Sequence, residues 1–272
     1  MVKQQASKDE QSSSATDQEL GRVALVGAGP GTPELLTRRA WKRLQNADVV
    51  LYDSLTTDAI IDSLPQAVEA IDVGKRSPNR RTQHEINRLM RDRAQMGDNV
   101  VRLKGGDPNV FGRGGEEAEY LAGAEISFEV VPGISSVLAV SSVSGIPLTH
   151  RDYASSLMVI TGHQDPTKDE SAIDWTAVAN TLTAGGTVVI LMGVNTLSEN
   201  VAMLKKEGVS TDMPAAMVEK ATWETEQIIT GTLDTIVSQR DEMNITPPAV
   251  TIIGEVAKVR ENVIQFMQEG LG

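Results

Sequence analysis

The chain has 272 residues, with 25 basic against 37 acidic side chains, a formal charge of −12, three histidines and no cysteine. The acidic balance weighs against a nucleic-acid partner, which needs a basic face, and the missing cysteine excludes disulfides, thiolate metal sites and cysteine nucleophiles. His84, His150 and His163 are scattered without metal-ligand spacing, no apolar run reaches membrane-spanning length, and the first residues lack signal-peptide order, so a soluble cytoplasmic protein without a metal or a membrane partner is expected.

Residues 1–20 (MVKQQASKDEQSSSATDQEL) carry almost no large apolar side chain and are read as a disordered tail, because they cannot offset the entropy of ordering. Strand-like runs then follow at 22–26, 48–52, 68–73, 99–103 and 127–131. The segments between them have helical signatures. Thr32 is read as the cap of a helix that starts at Pro33 and places Leu36, Ala40, Leu44 and Ala47 on one face. Thr82 and Glu85 form a capping-box pattern before Ile86, Leu89 and Met90, and Gly97 supplies the stop. Strand and helix in alternation predict a mainly parallel sheet. The small, Ser-rich stretch 133–147 is read as a helix bridging two halves. Beyond it, strands at 156–161, 187–192, 214–219, 226–230 and 249–253 alternate with helices near 175–183, 195–207, 233–242 and 255–268. Several of these strands are joined by short turns, which predicts a mixed sheet. The expected organisation is therefore α/β: an N-terminal domain over 21–135 and a C-terminal domain over 136–268.

Two glycine-rich turns about 75 residues apart each follow an apolar run, and open α/β sheets bind ligands at such strand ends. The first, Gly27-Ala28-Gly29-Pro30-Gly31-Thr32, invites a dinucleotide reading but departs from it. The third glycine of that fingerprint falls at Thr32, and Pro30 has no N–H to offer a pyrophosphate. The turn suits an uncharged part of a ligand, or a purely structural role.

The second turn runs from Lys104 through Gly105-Gly106-Asp107-Pro108 to Phe111-Gly112-Arg113-Gly114-Gly115-Glu116-Glu117. Its glycines let a ligand approach the main chain, Asp107 is placed to accept from an amino group or a ribose hydroxyl, and Arg113 is held nearby. The Glu pair is read as favouring the start of the next helix. An Asp-Pro turn is the plain alternative. From 75 to 113 the chain carries ten cations and four acids, an island of +6 that would attract a polyanionic small molecule. Lys75, Arg76, Arg80 and Arg81 are its best candidates for contact. Asp53 follows strand 48–52 at the same expected edge and is read as a base, a ligand contact or a turn cap. Pro132-Gly133-Ile134-Ser135-Ser136 presents hydroxyls and N–H groups at a helix start. The clusters at 149–152 and 161–163 are read as structural unless the cleft gathers them, and Met192 as a core or soft apolar contact.

Together, VALVGAGPGTPELLT, VLYDSL, VGKR, VVRLKGGDPNVFGRGGEE, VVPGISS, SGIPLTHRDYASS, VITGH, VILMGV and PAAMVEKAT resemble the tetrapyrrole methylases, over residues 22 to about 266. The VFGRGGEE and SGIPLTHRDYA segments resemble the branch acting on uroporphyrinogen III more than the later cobalamin methylases or diphthine synthase. The resemblance implies two α/β domains with a cleft between them, a homodimer and S-adenosylmethionine as donor. It implies two C-methylations of uroporphyrinogen III, at C2 and C7, giving precorrin-2. Carried over by position, donor contacts fall on Pro30, Gly105, Gly106, Asp107, Val110, Ser135, Ser136 and Met192, with a main-chain contact at Ala221. Asp53 and Lys75 match a proton acceptor and a proton donor, and Arg113 a substrate-facing arginine. The chain departs from the family pattern at Lys220-Ala221, where Gly is frequent after Glu-Asn, at Ser135-Ser136 and over 77–81. Only a tail precedes Arg22, so steps beyond precorrin-2 are expected of another protein. Another precorrin C-methyltransferase, a nucleotide-dependent oxidoreductase and a non-catalytic sensor on the same fold are the competing readings.

Overall fold

The computed structural model describes residues 20–74, 81–163 and 173–267. Residues 1–19 of the expected tail lie outside the described residues. The first sheet contains β1 (Arg22–Gly27), β2 (Val49–Tyr52), β3 (Glu69–Asp72), β4 (Asn99–Lys104) and β5 (Phe128–Val131) in the order β3-β2-β4-β1-β5. All of its pairings are parallel, with Leu25 opposite Arg102 and Val26 opposite both Leu103 and Val131. Strands covered on both faces need apolar side chains in both directions, which is why β1 is buried throughout Val23–Gly27.

One face packs against α1 (Arg38–Gln45) and α2 (Asp58–Asp62), through Ala40, Leu44 and Ile60 against Val26, Val50 and Leu103. The other face packs against α3 (Gln83–Gln95) and α4 (Gly114–Gly123), through Ile86, Met90 and Leu121 against Leu25, Leu51 and Val100. Each fully buried side chain of this kind contributes about 1.5–3 kcal/mol. Thr82 and Glu85 make the reciprocal capping box at the start of α3, and Gly97, at φ 97°, follows its end.

The single helix expected from Thr32 is instead two pieces. Pro33–Leu35 is a 3-10 turn with no side-chain cap, Leu36 is extended, and α1 starts only after Thr37, whose hydroxyl accepts from the Ala40 N–H at 3.1 Å. The Thr37 hydroxyl also donates to the Pro132 carbonyl, so a contact to the loop after β5 selects which threonine caps the helix.

The bridging helix α5 (Ser136–Ser144) is capped by Ser135 and ends at Gly145, φ 68°. Its Val137 and Val140 pack against the second sheet, among Val189, Ala216 and Val250. That sheet contains β6 (Leu157–Thr161), β7 (Thr187–Leu191), β8 (Pro214–Glu219), β9 (Gln227–Thr232) and β10 (Ala249–Ile253) in the order β6-β7-β10-β8-β9. Only β6 and β7 are parallel, so the sheet is mixed. Its outer face carries α6 (Trp175–Thr183), α7 (Leu197–Lys206) and α8 (Ile236–Glu242). The helix expected over 255–268 is broken into 3-10 turns at Glu255–Lys258 and Ile264–Phe266 around a short α9 (Val259–Val263). Among the described residues no helix is long and apolar enough to cross a membrane.

Candidate active site

The chain leaves β1 towards β2 on one side of the first sheet and leaves β4 towards β5 on the other, so the topological switch lies between the adjacent strands β1 and β4. In open parallel sheets the crevice beyond the carboxyl ends at such a switch receives ligands. Both glycine turns emerge there, and they are joined. The Ala28 N–H donates to the Lys104 carbonyl at 2.7 Å. Gly29 and Gly106 then exchange N–H···O bonds of 3.2 and 2.8 Å in a single antiparallel bridge. Gly27 makes this approach possible, since a Cβ there would lie 2.5 Å from the Gly133 nitrogen and 2.6 Å from the Gly106 oxygen. Gly106 has φ 68°, which a side chain would strain.

Asp107 braces the same edge. One carboxylate oxygen accepts from the Asn109 N–H at 2.9 Å and the other from the Gly133 N–H at 3.1 Å. The sequence reading assigns this carboxylate to a ligand. In the structure it first ties the second glycine turn to the loop before α5, with lone pairs left for a ligand donor. Ser135 is buried and spends its hydroxyl on the Val137 N–H, whereas Ser136 opens α5, where first-turn N–H groups lack intrahelical acceptors. Val110 is exposed beside Asp107, its N–H directed to the Asp107 carbonyl. Leu55, also exposed, reaches across to Gly105, where a Cβ would lie 2.7 Å from the Leu55 Cβ. Pro30, Gly105, Gly106, Asp107, Val110, Ser135 and Ser136 thus share one edge.

The second sheet supplies another edge. β7 and β8 both run antiparallel to β10 between them, so Met192 and Ala221 leave the sheet on the same side. Met192 has φ 55° and is 49% exposed, which sets aside its reading as a core residue. Ala221 is buried between Lys220 (φ 47°) and Thr222 (φ 72°). Three residues in or near left-handed backbone geometry without being glycine mark a stretch held by its surroundings. The Lys220 N–H is held by the Pro248 carbonyl, and the Thr222 N–H by the Glu226 carboxylate at 2.8 Å. Sequence reasoning missed Trp223, which connects the two edges by donating its indole N–H to the Pro30 carbonyl at 2.9 Å. Its ring occupies the space where a Gly31 Cβ would lie.

Asp53 stands just beyond β2. One oxygen accepts from the Leu55 N–H at 3.1 Å, and the other lies 3.6 Å from Arg102 Nη2. Arg102 and Lys104 are buried, and both meet the wholly buried Glu117: Arg102 Nε at 3.2 Å and Lys104 Nζ at 3.0 Å from Oε1. Gln83 donates to the same oxygen at 3.0 Å. Burial, and then the neighbouring Arg102, lower the Lys104 ammonium below the ordinary lysine range, against the opposing pull of Glu117 and Asp53.

The Glu pair stands in the first turn of α4 as expected, and Glu117 is in addition an internal counter-ion, so only Glu116 of the two is exposed. The island of +6 is also smaller at the surface than its count. Arg102 and Lys104 face inward, Arg91 pairs with Asp92, and Arg93 pairs with Glu69 and Asp98. Arg113 remains exposed, with φ 59° at the start of α4 and no ion-pair or hydrogen-bond partner for its guanidinium among the described residues. Lys75, Arg76 and Arg80 lie outside the described residues. The polar clusters at 149–152 and 161–163 close on themselves: His150 Nδ1 accepts from the Asp152 N–H, and Thr161 exchanges bonds with His163.

The family model for the tetrapyrrole (corrin/porphyrin) methylases matches residues 22–237. The chain is 49% identical over 242 residues to an S-adenosyl-L-methionine-dependent uroporphyrinogen III methyltransferase of Methanosarcina barkeri, covering 89% of this chain and 94% of that protein. It is 45% identical to the siroheme synthase of Nitrosomonas eutropha over 93% of its own length, but spans only 53% of that protein. Among solved structures, uroporphyrin-III C-methyl transferase from Thermus thermophilus, complexed with S-adenosyl homocysteine, superposes with a TM-score of 0.75 at 40% identity, covering 88% of this chain and all of that one. Cobalt precorrin-4 methyltransferase gives a TM-score of 0.78 at 27% identity, over 87% of this chain and 95% of that one.

Proposed function

The chain belongs to the tetrapyrrole (corrin/porphyrin) methylases, and from that premise we propose that it methylates carbon atoms of uroporphyrinogen III with S-adenosylmethionine as donor. The observation that carries this reading is the 49% identity to the Methanosarcina enzyme across nearly the whole of both chains. The joined glycine turns at the switch point support it, because they offer main chain and small residues where a ligand must approach closely.

S-adenosylmethionine supplies an electrophilic methyl group on a sulfonium. The residues fit such a donor: Gly106 has no neighbour closer than 3.6 Å where a side chain would stand, Ser136 offers a helix-start N–H, and Val110 and Met192 present apolar surface. Pro30, Gly105, Asp107, Ser135 and the Ala221 main chain complete the proposed donor contacts. Their contribution is alignment and exclusion of water, since the pyrrole carbons of the acceptor are already electron-rich. Arg113 faces the carboxylates of the acceptor. Asp53 accepts the proton that leaves the ring system after methyl transfer, and Lys75 acts as the proton donor. Methylation at C2 and C7 would give precorrin-2, in a cytoplasmic homodimer.

The test is anaerobic incubation of the purified protein with uroporphyrinogen III and S-adenosylmethionine, followed by mass spectrometry of the products. Gain of two methyl groups is expected. No methylation, or methylation of a precorrin but not of uroporphyrinogen III, would overturn the assignment.

A further inference from the structure

Arg102 and Lys104 alternate with Val101 and Leu103 along β4, so both enter the space beneath α3 and α4. Two cations there meet one wholly buried carboxylate, Glu117, which leaves a positive excess inside. Buried charge is costly unless compensated, and its nearest remaining counter-charge is Asp53 at the edge of the cleft. Arg102 is held in this direction: its Nη1 donates to the Leu103 and Leu51 carbonyls at 3.0 and 3.3 Å, which leaves Nη2 facing Asp53.

We propose that Arg102, Lys104 and Glu117 are positioning residues that hold the Asp53 carboxylate in place at the cleft edge during methylation. The proposal rests on the reading of Asp53 as proton acceptor.

The groups bearing on Asp53 come from several elements. β4 contributes Arg102 and Lys104, α4 contributes Glu117 behind them, and α3 contributes the neutral Gln83. Asp72 at the end of β3 and Asp58 on α2 are the neighbouring carboxylates, and both act on Tyr52, which packs with Val50's cluster. They remain unchanged in every variant below.

The signs are opposite for opposite charges. Glu117→Gln removes a negative charge behind the two cations, and the acid limb of the kcat profile moves to lower pH. Lys104→Met removes a positive charge and moves that limb to higher pH. Gln83→Glu adds a carboxylate beside Glu117 and also moves it to higher pH, while suiting a helix start. Displacements of about half to one pH unit are expected from charge changes at this range, with the dissociation constant for S-adenosylmethionine unchanged.

The experiment records kcat against pH for the full chain and these three variants, with Asp53→Asn as reference and thermal melting to verify folding. Opposite displacements for Glu117→Gln and Lys104→Met establish the positioning role, which a merely structural ion pair would not produce. If those profiles superimpose on that of the unsubstituted protein while Asp53→Asn abolishes the limb, the positioning role is overturned and the base assignment stands. If Asp53→Asn retains activity and an unchanged limb, the base assignment itself fails. Should either buried variant not fold, Gln83→Glu decides alone: a raised limb supports the proposal and an unmoved one overturns it.

Discussion

The indole N–H of Trp223, on the segment after β8, donates to the carbonyl of Pro30 in the first glycine turn, 193 residues away along the chain, at 2.9 Å. Gly31 beside it has φ 150° and leaves room for the ring, and the Gly31 carbonyl accepts from the Thr57 hydroxyl at 2.5 Å. The bond joins the edges of both sheets at the proposed donor site. Trp223→Phe keeps an aromatic ring, though a smaller one, and removes the donor, a loss of about 1 kcal/mol for one hydrogen bond. About fivefold weaker binding of S-adenosylmethionine is expected in titration calorimetry. Unchanged affinity would separate this bond from the donor site.

Asp107 ties Asn109 to Gly133 through its two oxygens. Asp107→Ala frees both loops and is expected to weaken donor binding at least tenfold, with a smaller loss in Asp107→Asn, which keeps one carbonyl acceptor. Equal affinity in all three proteins would remove Asp107 from the site.

Two glycines predict opposite outcomes in thermal melting. A Cβ at Gly27 meets backbone atoms of Gly106 and Gly133 below 2.7 Å, and neither side can yield, so Gly27→Ala is expected to cost about 3 kcal/mol or more. Gly115 lies in α4 with nothing within 4 Å of such an atom, so Gly115→Ala is expected to stabilise by about 0.5–1 kcal/mol through helix propensity. Similar melting temperatures for the two variants would contradict the geometry at the glycine bridge.

Glu219 predicts a pH dependence of stability. Burial raises its pKa, but bonds from the Thr246 hydroxyl at 2.8 Å, the Lys220 ammonium at 3.1 Å and the Thr246 N–H at 3.2 Å outweigh burial and hold it below the usual carboxylate range. A depressed folded-state pKa contributes stability that is present above the unfolded value and lost as pH falls through the folded one. Glu219→Gln should therefore be less stable than the unsubstituted chain near neutral pH, by about 1–3 kcal/mol, and the difference should shrink in acid. Denaturant unfolding across pH measures it; a gap that widens in acid would reverse the sign.

The ten strands among the described residues were legible because their signals are local. β1 and β4 sit between covering layers, so they appear as apolar runs broken by glycine, and the joined turns fall where those runs end. The start of α1 was less legible, because Thr32-Pro33 and Thr37 both carry cap chemistry and a contact from Thr37 to Pro132, 95 residues distant, distinguishes them. Charges were the least legible. Arg102 and Lys104 count towards a basic island and Glu117 towards a helix-start acidic pair when read along the chain, and they become one internal network when folded.

Amino-acid order alone therefore specified the α/β succession, the two glycine turns and the family, since each depends on residues that are neighbours along the chain. The folded arrangement decided which cations stay available to an anionic ligand, that Asp53 faces Arg102, and that Trp223 spans the two edges. Those depend on distances between residues far apart in sequence, and on the cost of burying a charge without a partner.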